Sequence, residues 1–85
     1  MKPGFKPIGL REYVDLFLVA NPSEVRANVV RRLREAIDAH VQGERCACGE
    51  LIWIVGSAEV GLGCFTCITG TAEPDNDYEI QPEVN

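Results

Sequence analysis

The chain has 85 residues, 46% of them hydrophobic and 25% charged, a balance that fits one globular domain and excludes a disordered segment. Its formal charge of -5 is unevenly placed: residues 1–45 carry all eight Lys and Arg with six acids, whereas residues 46–85 carry seven acids and no Lys or Arg. The longest apolar runs, in LFLVA and LIWIV, are too short for a bilayer span or a secretory signal, so the expected place of the chain is the cytoplasm.

MKPGFKPIG, with two prolines and two glycines, predicts an irregular arm over residues 1–9. From Leu10 the pattern is helical. Leu10, Tyr13, Val14, Phe17 and Leu18 form one apolar stripe, while Leu16 and Val19 point elsewhere, toward a second helix or a subunit contact. NPSE at residues 21–24 predicts a helix start, with Asn21 as cap, Pro22 in the first helical position and Glu24 at capping-box spacing. That helix is expected to reach Gln42 and stop at Gly43, burying Val25, Val29, Leu33, Ile37 and Val41 with Val30 and Ala36. Residues 10–43 are thus read as a two-helix hairpin.

After Gly43 the pattern changes. LIWIV is rich in β-branched and aromatic residues, a break follows at Gly56-Ser57, and VGLGCF resumes the apolar run, which predicts a β-hairpin. TAEPDND reads as an acidic turn, Tyr78-Glu79-Ile80 as a third short strand, and residues 81–85 as a tail. The expected class is α+β, one domain over residues 10–80, with a helical part (10–43) packed on a metal-stapled ribbon part (44–80).

Eighty-five residues leave little room for a core, and chains of this size are often stapled by disulfides, a metal or a partner. All four cysteines lie in CACGELIWIVGSAEVGLGCFTC: Cys46 and Cys48, then fifteen residues, then Cys64 and Cys67. A hairpin brings its two ends together, so thiol pairs at those ends converge, close to a known zinc spacing. In a reducing compartment, paired cysteines are more often ligands than disulfides. A Cys46–Cys48 bridge would be strained, and a redox CFTC would need a βαβ setting that this chain lacks. Zinc is therefore the expected ion, although four thiolates also suit iron. Gly49 and Gly70 are expected to turn N–H groups toward sulfur. His40 is expected near a helix C-terminus or hydrogen-bonded to a sulfur rather than as a ligand.

Residues 46–70 resemble a zinc ribbon, with CFTCITG the closer knuckle and CACG a shortened one. CxCG, IWIVGSA, GCFTCITG and DYEI together resemble a family of small uncharacterised bacterial proteins, over about the C-terminal half of the chain. The resemblance implies the ribbon fold and the metal, and carries no activity.

Trp53 is expected in the core, with a partner contact as the alternative. Arg26, Arg31, Arg32 and Arg34 spread around their helix instead of forming a basic stripe, which disfavours nucleic acid and suggests pairing with the acidic half. Asp75, Asp77 and Glu79 lack the rest of a calcium loop and read as an exposed acidic turn. Ser57 in VGSAE is not a nucleophile elbow, and a turn role is expected. Four thiolates close a zinc shell, so the chain reads as no enzyme. It reads as a structural-zinc protein serving as an interaction or adaptor module, with a basic protein or a second copy as partner. The alternative is a thiol redox or metal-responsive switch using the CFTC pair.

Overall fold

In the computed structural model, residues 3–83 are described; Met1, Lys2, Val84 and Asn85, at the ends of the expected arm and tail, lie outside them. Helix α1 (Leu10–Ala20) forms on the expected stripe: Leu10 and Val14 are buried and Tyr13, Phe17 and Leu18 pack against the core. Leu16 and Val19 face outward, Val19 with 82% of its surface exposed. Asn21 ends this helix instead of starting the next. Its backbone N–H and its Nδ2 both donate to Phe17 O, at 2.8 and 3.0 Å. Glu24 N–H then donates to Asn21 O at 3.1 Å, which makes NPSE the turn between helices.

Helix α2 (Arg26–Val41) begins at Arg26, later than the NPSE signal predicts, with Val25 in the cap position and no side-chain cap. The late start explains a second correction. Val25 falls before the helix and Val41 on its last turn, so both are exposed, 58% and 68%. The buried face is Val29, Leu33, Ala36 and Ala39. Arg26 Nη2 meets Asp15 Oδ1 at 2.6 Å and ties α2 to α1.

The expected β-hairpin does not form. Residues after Trp53 make helix α3 (Ile54–Val60), and a one-turn helix α4 (Phe65–Thr69) follows Cys64. Between the thiol pairs stands a helix that packs on α2, not two strands, so the zinc-ribbon architecture of residues 44–80 is replaced by a helical clasp. The physical reason lies far along the chain. Glu79 reaches the start of α3, where its Oε2 accepts from Ile54 N–H at 3.0 Å and its Oε1 from Val55 N–H at 3.3 Å. A carboxylate on the free N–H groups of a helix start favours that helix. The far end is closed by Ser57, whose Oγ donates to Gly63 O and accepts from Gly63 N–H, both at 3.1 Å.

The arm expected to be irregular contains strand β1 (Lys6–Ile8), which pairs in parallel with β2 (Tyr78–Ile80) in the register Lys6 to Tyr78, Pro7 to Glu79 and Ile8 to Ile80. The third short strand is therefore present, but its partner is the N-terminal arm. Side chains cover two further β2 groups: Trp53 Nε1 donates to Tyr78 O at 2.9 Å, and Ile80 N–H donates to Glu79 Oε1 at 2.9 Å. Ile8, Leu10, Val14, Val29, Leu33, Ala36, Ile54, Val55 and Ile80 form the core that unites arm, helices and strand. The mixed α+β class holds.

Two side chains in this frame give direct tests. Glu79 is 5% exposed, and burial pushes its carboxyl up from 4.5 to about 7, against the lowering pull of the Ile54, Ile80 and Val55 N–H groups. A folded-state pKa above the unfolded one means that the stability it adds is full below the ordinary carboxylate range and is lost as pH rises toward 7. Relative to Glu79→Gln, the wild-type chain is expected to lose about 3 kcal/mol across that window and nothing further above it, by chemical denaturation at stepped pH. A flat difference would contradict it. At Gly56, an added Cβ would meet Trp53 Cε3, with Cζ3 at 2.7 Å and Ile68 Cδ1 at 3.0 Å. Gly56→Ala is therefore expected to destabilise by about 1–3 kcal/mol, read by thermal melting.

Candidate metal centre

The first thiol pair sits on a tight turn. Arg45 and Leu51 form an antiparallel bridge, Cys46 N–H donates to Glu50 O at 2.9 Å, and Gly49 N–H donates to Cys46 O at 2.8 Å. Gly49 has φ 95°, a conformation that suits glycine, and this lets the chain double back within one C-x-C-G unit. Arg45 Nη1 braces the turn on Gly49 O at 3.0 Å.

The second pair is built on α4. Cys64 is its N-cap, and its Sγ accepts from Cys67 N–H at 3.4 Å. Gly70 closes the turn in the left-handed conformation, donating to Thr66 O at 2.8 Å. The two glycines thus shape the knuckles, while the N–H groups beside sulfur belong to Cys48, Cys64, Glu50 and Cys67.

The four Sγ atoms of Cys46, Cys48, Cys64 and Cys67 all lie within 4.8 Å of one another, and those of Cys48 and Cys64 are 3.6 Å apart. Four sulfurs at the zinc bond length of about 2.3 Å and tetrahedral angles would stand roughly 3.8 Å apart. A disulfide needs about 2.05 Å, and all four thiols are free. Cys46 and Cys64 are buried and Cys48 and Cys67 exposed, so the cluster is half sunk with one open side.

The electrostatics fit a cation site. The Cys48 and Cys64 N–H groups favour the Cys46 thiolate and bring it down to about 6. Cys67 is pushed up to about 12 by the sulfurs of Cys46, Cys64 and Cys48. Cys48 is lowered by the Glu50 N–H, but the sulfurs of Cys64 and Cys46 outweigh that and raise it on balance. One thiolate forms readily and its neighbours then resist. All four can charge together around a divalent cation, which removes the repulsion.

Other residues singled out from sequence fall elsewhere. His40 is not among the four clustered ligands; its Nδ1 lies 3.3 Å from Ile52 O, in the last turn of α2. Asp75 and Asp77 form a turn, Asp75 N–H donating to Asp77 Oδ2 at 3.0 Å. Glu79 departs from that exposed reading, and nothing in its neighbours' sequence announces a buried carboxylate. Trp53 is half-buried, its ring centroid 4.9 Å from Phe65 and 6.1 Å from Phe5. Ser57 lies inside α3 rather than in the expected turn, and its hydroxyl serves the backbone of Gly63. The arginines pair mainly within the N-terminal half: Arg26 with Asp15, Arg31 with Glu35 and Arg32 with Glu24, while Arg32 also lies 3.8 Å from Glu59. The expected pairing with the acidic half is met by that last contact among the described residues, and such exposed pairs contribute about 0–1 kcal/mol each.

Among family models, curated proteins and solved structures, none matches this chain. No helix in the described residues is long and apolar enough to cross a membrane.

Serine in place of any one of Cys46, Cys48, Cys64 or Cys67 is expected to weaken zinc or cobalt(II) binding by at least ~100-fold, since loss of groups merely bonded to ligands already costs ~10–100-fold. His40→Ala is expected to change it by less than ~10-fold. Competition with a chromophoric chelator measures both. A His40 effect as large as that of a cysteine would redraw the ligand set.

Proposed function

We propose that Cys46, Cys48, Cys64 and Cys67 hold one structural zinc ion, and that the domain it staples is a cytoplasmic protein-interaction or adaptor module. The observation that carries this reading is the convergence of four free sulfurs within 4.8 Å, from two turns separated by a helix. Four thiolates fill a tetrahedral shell and leave no position for a reacting water, so the ion's role is structural and the chain is not an enzyme. Iron suits the same donors, and zinc is preferred for its affinity for closed tetrahedral thiolate sites.

The charge distribution supports a basic protein partner. Residues 46–85 bring seven acids and no Lys or Arg, and a zinc tetrathiolate adds about two more negative charges. Nucleic acid is disfavoured, because Arg26, Arg31 and Arg32 are engaged with carboxylates and residues 46–85 have no Lys or Arg for phosphate. Exposed Leu16 and Val19 on α1 offer the surface that a homodimer would use.

A thiol switch is the second reading, favoured by one distance. The sulfurs of Cys48 and Cys64 lie 3.6 Å apart, and Cys48 is exposed to oxidant. The pair placed for a disulfide is then Cys48–Cys64, across the knuckles, rather than the CFTC pair itself.

Elemental analysis of protein purified without added metal is expected to give one zinc per chain, with four thiols unreactive until the ion is removed. Structural zinc contributes roughly 10–16 kcal/mol of apparent binding free energy in finger-like peptides, against about 5–15 kcal/mol for the net stability of a domain. A strong chelator is therefore expected to collapse the amide NMR dispersion of residues 46–80. Clean protein with neither zinc nor iron, or dispersion that survives the chelator, would overturn the reading; reversible disulfide formation on metal release would favour the switch.

A further inference from the structure

Beside the thiols lies a cleft of about 580 Å³ that the metal reading leaves without a role. Its apolar wall is aromatic: Phe5, Trp53 and Phe65 interlock, with Phe5 and Phe65 centroids 5.5 Å apart in an edge-on arrangement. Its ionisable lining is mainly acidic, with His40 beside it, whose Nδ1 lies 3.3 Å from Ile52 O. Glu50, Glu79 and Glu83 border it, and among the described residues it has no Lys or Arg. Cys64, from the sulfur cluster, forms part of the same lining.

We propose that this cleft receives a Lys or Arg side chain presented by an extended basic segment of a partner protein. The proposal rests on the interaction-module reading and names the chemistry of the partner. Glu79 in the cleft lining is already engaged by the N–H groups of Ile54, Val55 and Ile80, so it is not free to receive a guest. Glu50 and Glu83 are exposed and unburdened by an ion pair among the described residues, which leaves them able to meet an incoming cation.

The half-buried rings of Phe5 and Trp53 suit the same guest. A guanidinium or ammonium is attracted to the face of a tryptophan or phenylalanine, and its aliphatic stem is at home against an apolar wall. The volume lies within the roughly 300–1,000 Å³ of ligand pockets and exceeds one side chain, which leaves room for a stretch of peptide backbone. A phosphate-bearing partner would face Glu50 and Glu83 with no Lys or Arg among the described lining residues to offset them. Arg26, Arg31 and Arg32 do not compete, since they make their ion pairs from α2, outside the lining, and Arg45 is likewise outside it with its Nη1 on Gly49 O.

Trp53, the one tryptophan of the chain, reports from inside the cleft. The test titrates the full-length, zinc-loaded protein with a capped peptide bearing Arg-Lys-Arg between Gly-Ser flanks, following Trp53 emission at low ionic strength. A saturable change is expected, weakened at least ~5-fold in Glu50→Gln/Glu83→Gln and likewise weakened by added salt. Both substitutions are at exposed positions, and zinc content and melting temperature of the variant verify that it is folded. No saturable change, equal affinity in the double variant, or equal binding of an acidic peptide or a single-stranded oligonucleotide would overturn the proposal. Metal content measured on the same sample separates the two readings. Peptide failure with one zinc bound sinks the cleft alone, whereas absent metal sinks the staple whatever the peptide does.

Discussion

Four sulfurs confined within 4.8 Å of one another are the constraint around which the C-terminal half is arranged. Thiols that close obstruct each other's ionisation, which pushes Cys67 up, while the N–H groups of Cys48 and Cys64 bring Cys46 down. A packed set of this kind is poor chemistry for a bare protein and good chemistry for a cation. It also fixes the chain: Cys48 and Cys64 enclose a segment of fifteen residues, and holding its ends together removes conformational freedom that a free loop would keep in the unfolded state. Helix α3 lies inside that loop and packs on α2, so the clasp and the hydrophobic core restrain the same element from opposite sides.

The second constraint is a carboxylate where a core would ordinarily refuse one. Glu79 accepts from three backbone N–H groups, two at the start of α3 and one on its own strand. Three donors offset much of the cost of burial, yet not all of it, as the raised pKa shows. Together with the Trp53 indole on Tyr78 O, it lets a two-stranded parallel pair, too small to stand alone, merge with a helix. The first and last described strands pair, so β1 and β2 both contribute to the core, through Ile8 and Ile80.

What could be read from sequence follows from the range of the interactions. The four ligand candidates were legible because thiol chemistry and spacing are local facts. So was α1, where one stripe of Leu10, Val14, Phe17 and Leu18 carries the periodicity. The run LIWIV was not, because a short β-branched segment is compatible with strand or buried helix, and the deciding partner, Glu79, stands 24 and 25 residues away from the N–H groups it receives. The strand in the arm had no local signal either: Lys6-Pro7-Ile8 is extended because residues 78–80 lie beside it. At NPSE the motif was local and still misleading. Asn21 can accept at a helix start or donate at a helix end, and the Phe17 carbonyl claims both of its N–H groups.

A structural ion need not touch a partner to govern binding. Cys64 is followed directly by Phe65, whose ring is buried 4.9 Å from Trp53 and 5.5 Å from Phe5. Any displacement of the second knuckle therefore moves the aromatic wall of the cleft, through one peptide bond and one packed ring. The first knuckle acts on the same lining through Glu50, which follows Cys48 and Gly49 and whose carbonyl accepts from Cys46 N–H. An ion gripping both knuckles would set the distance between an aromatic wall and a carboxylate at the mouth, which are the two features a cationic side chain would need at once. On this account the negative charge of a tetrathiolate would not be a by-product of the staple. It would add to the field of the seven acids of residues 46–85, and Cys64 would bring it to the cleft lining.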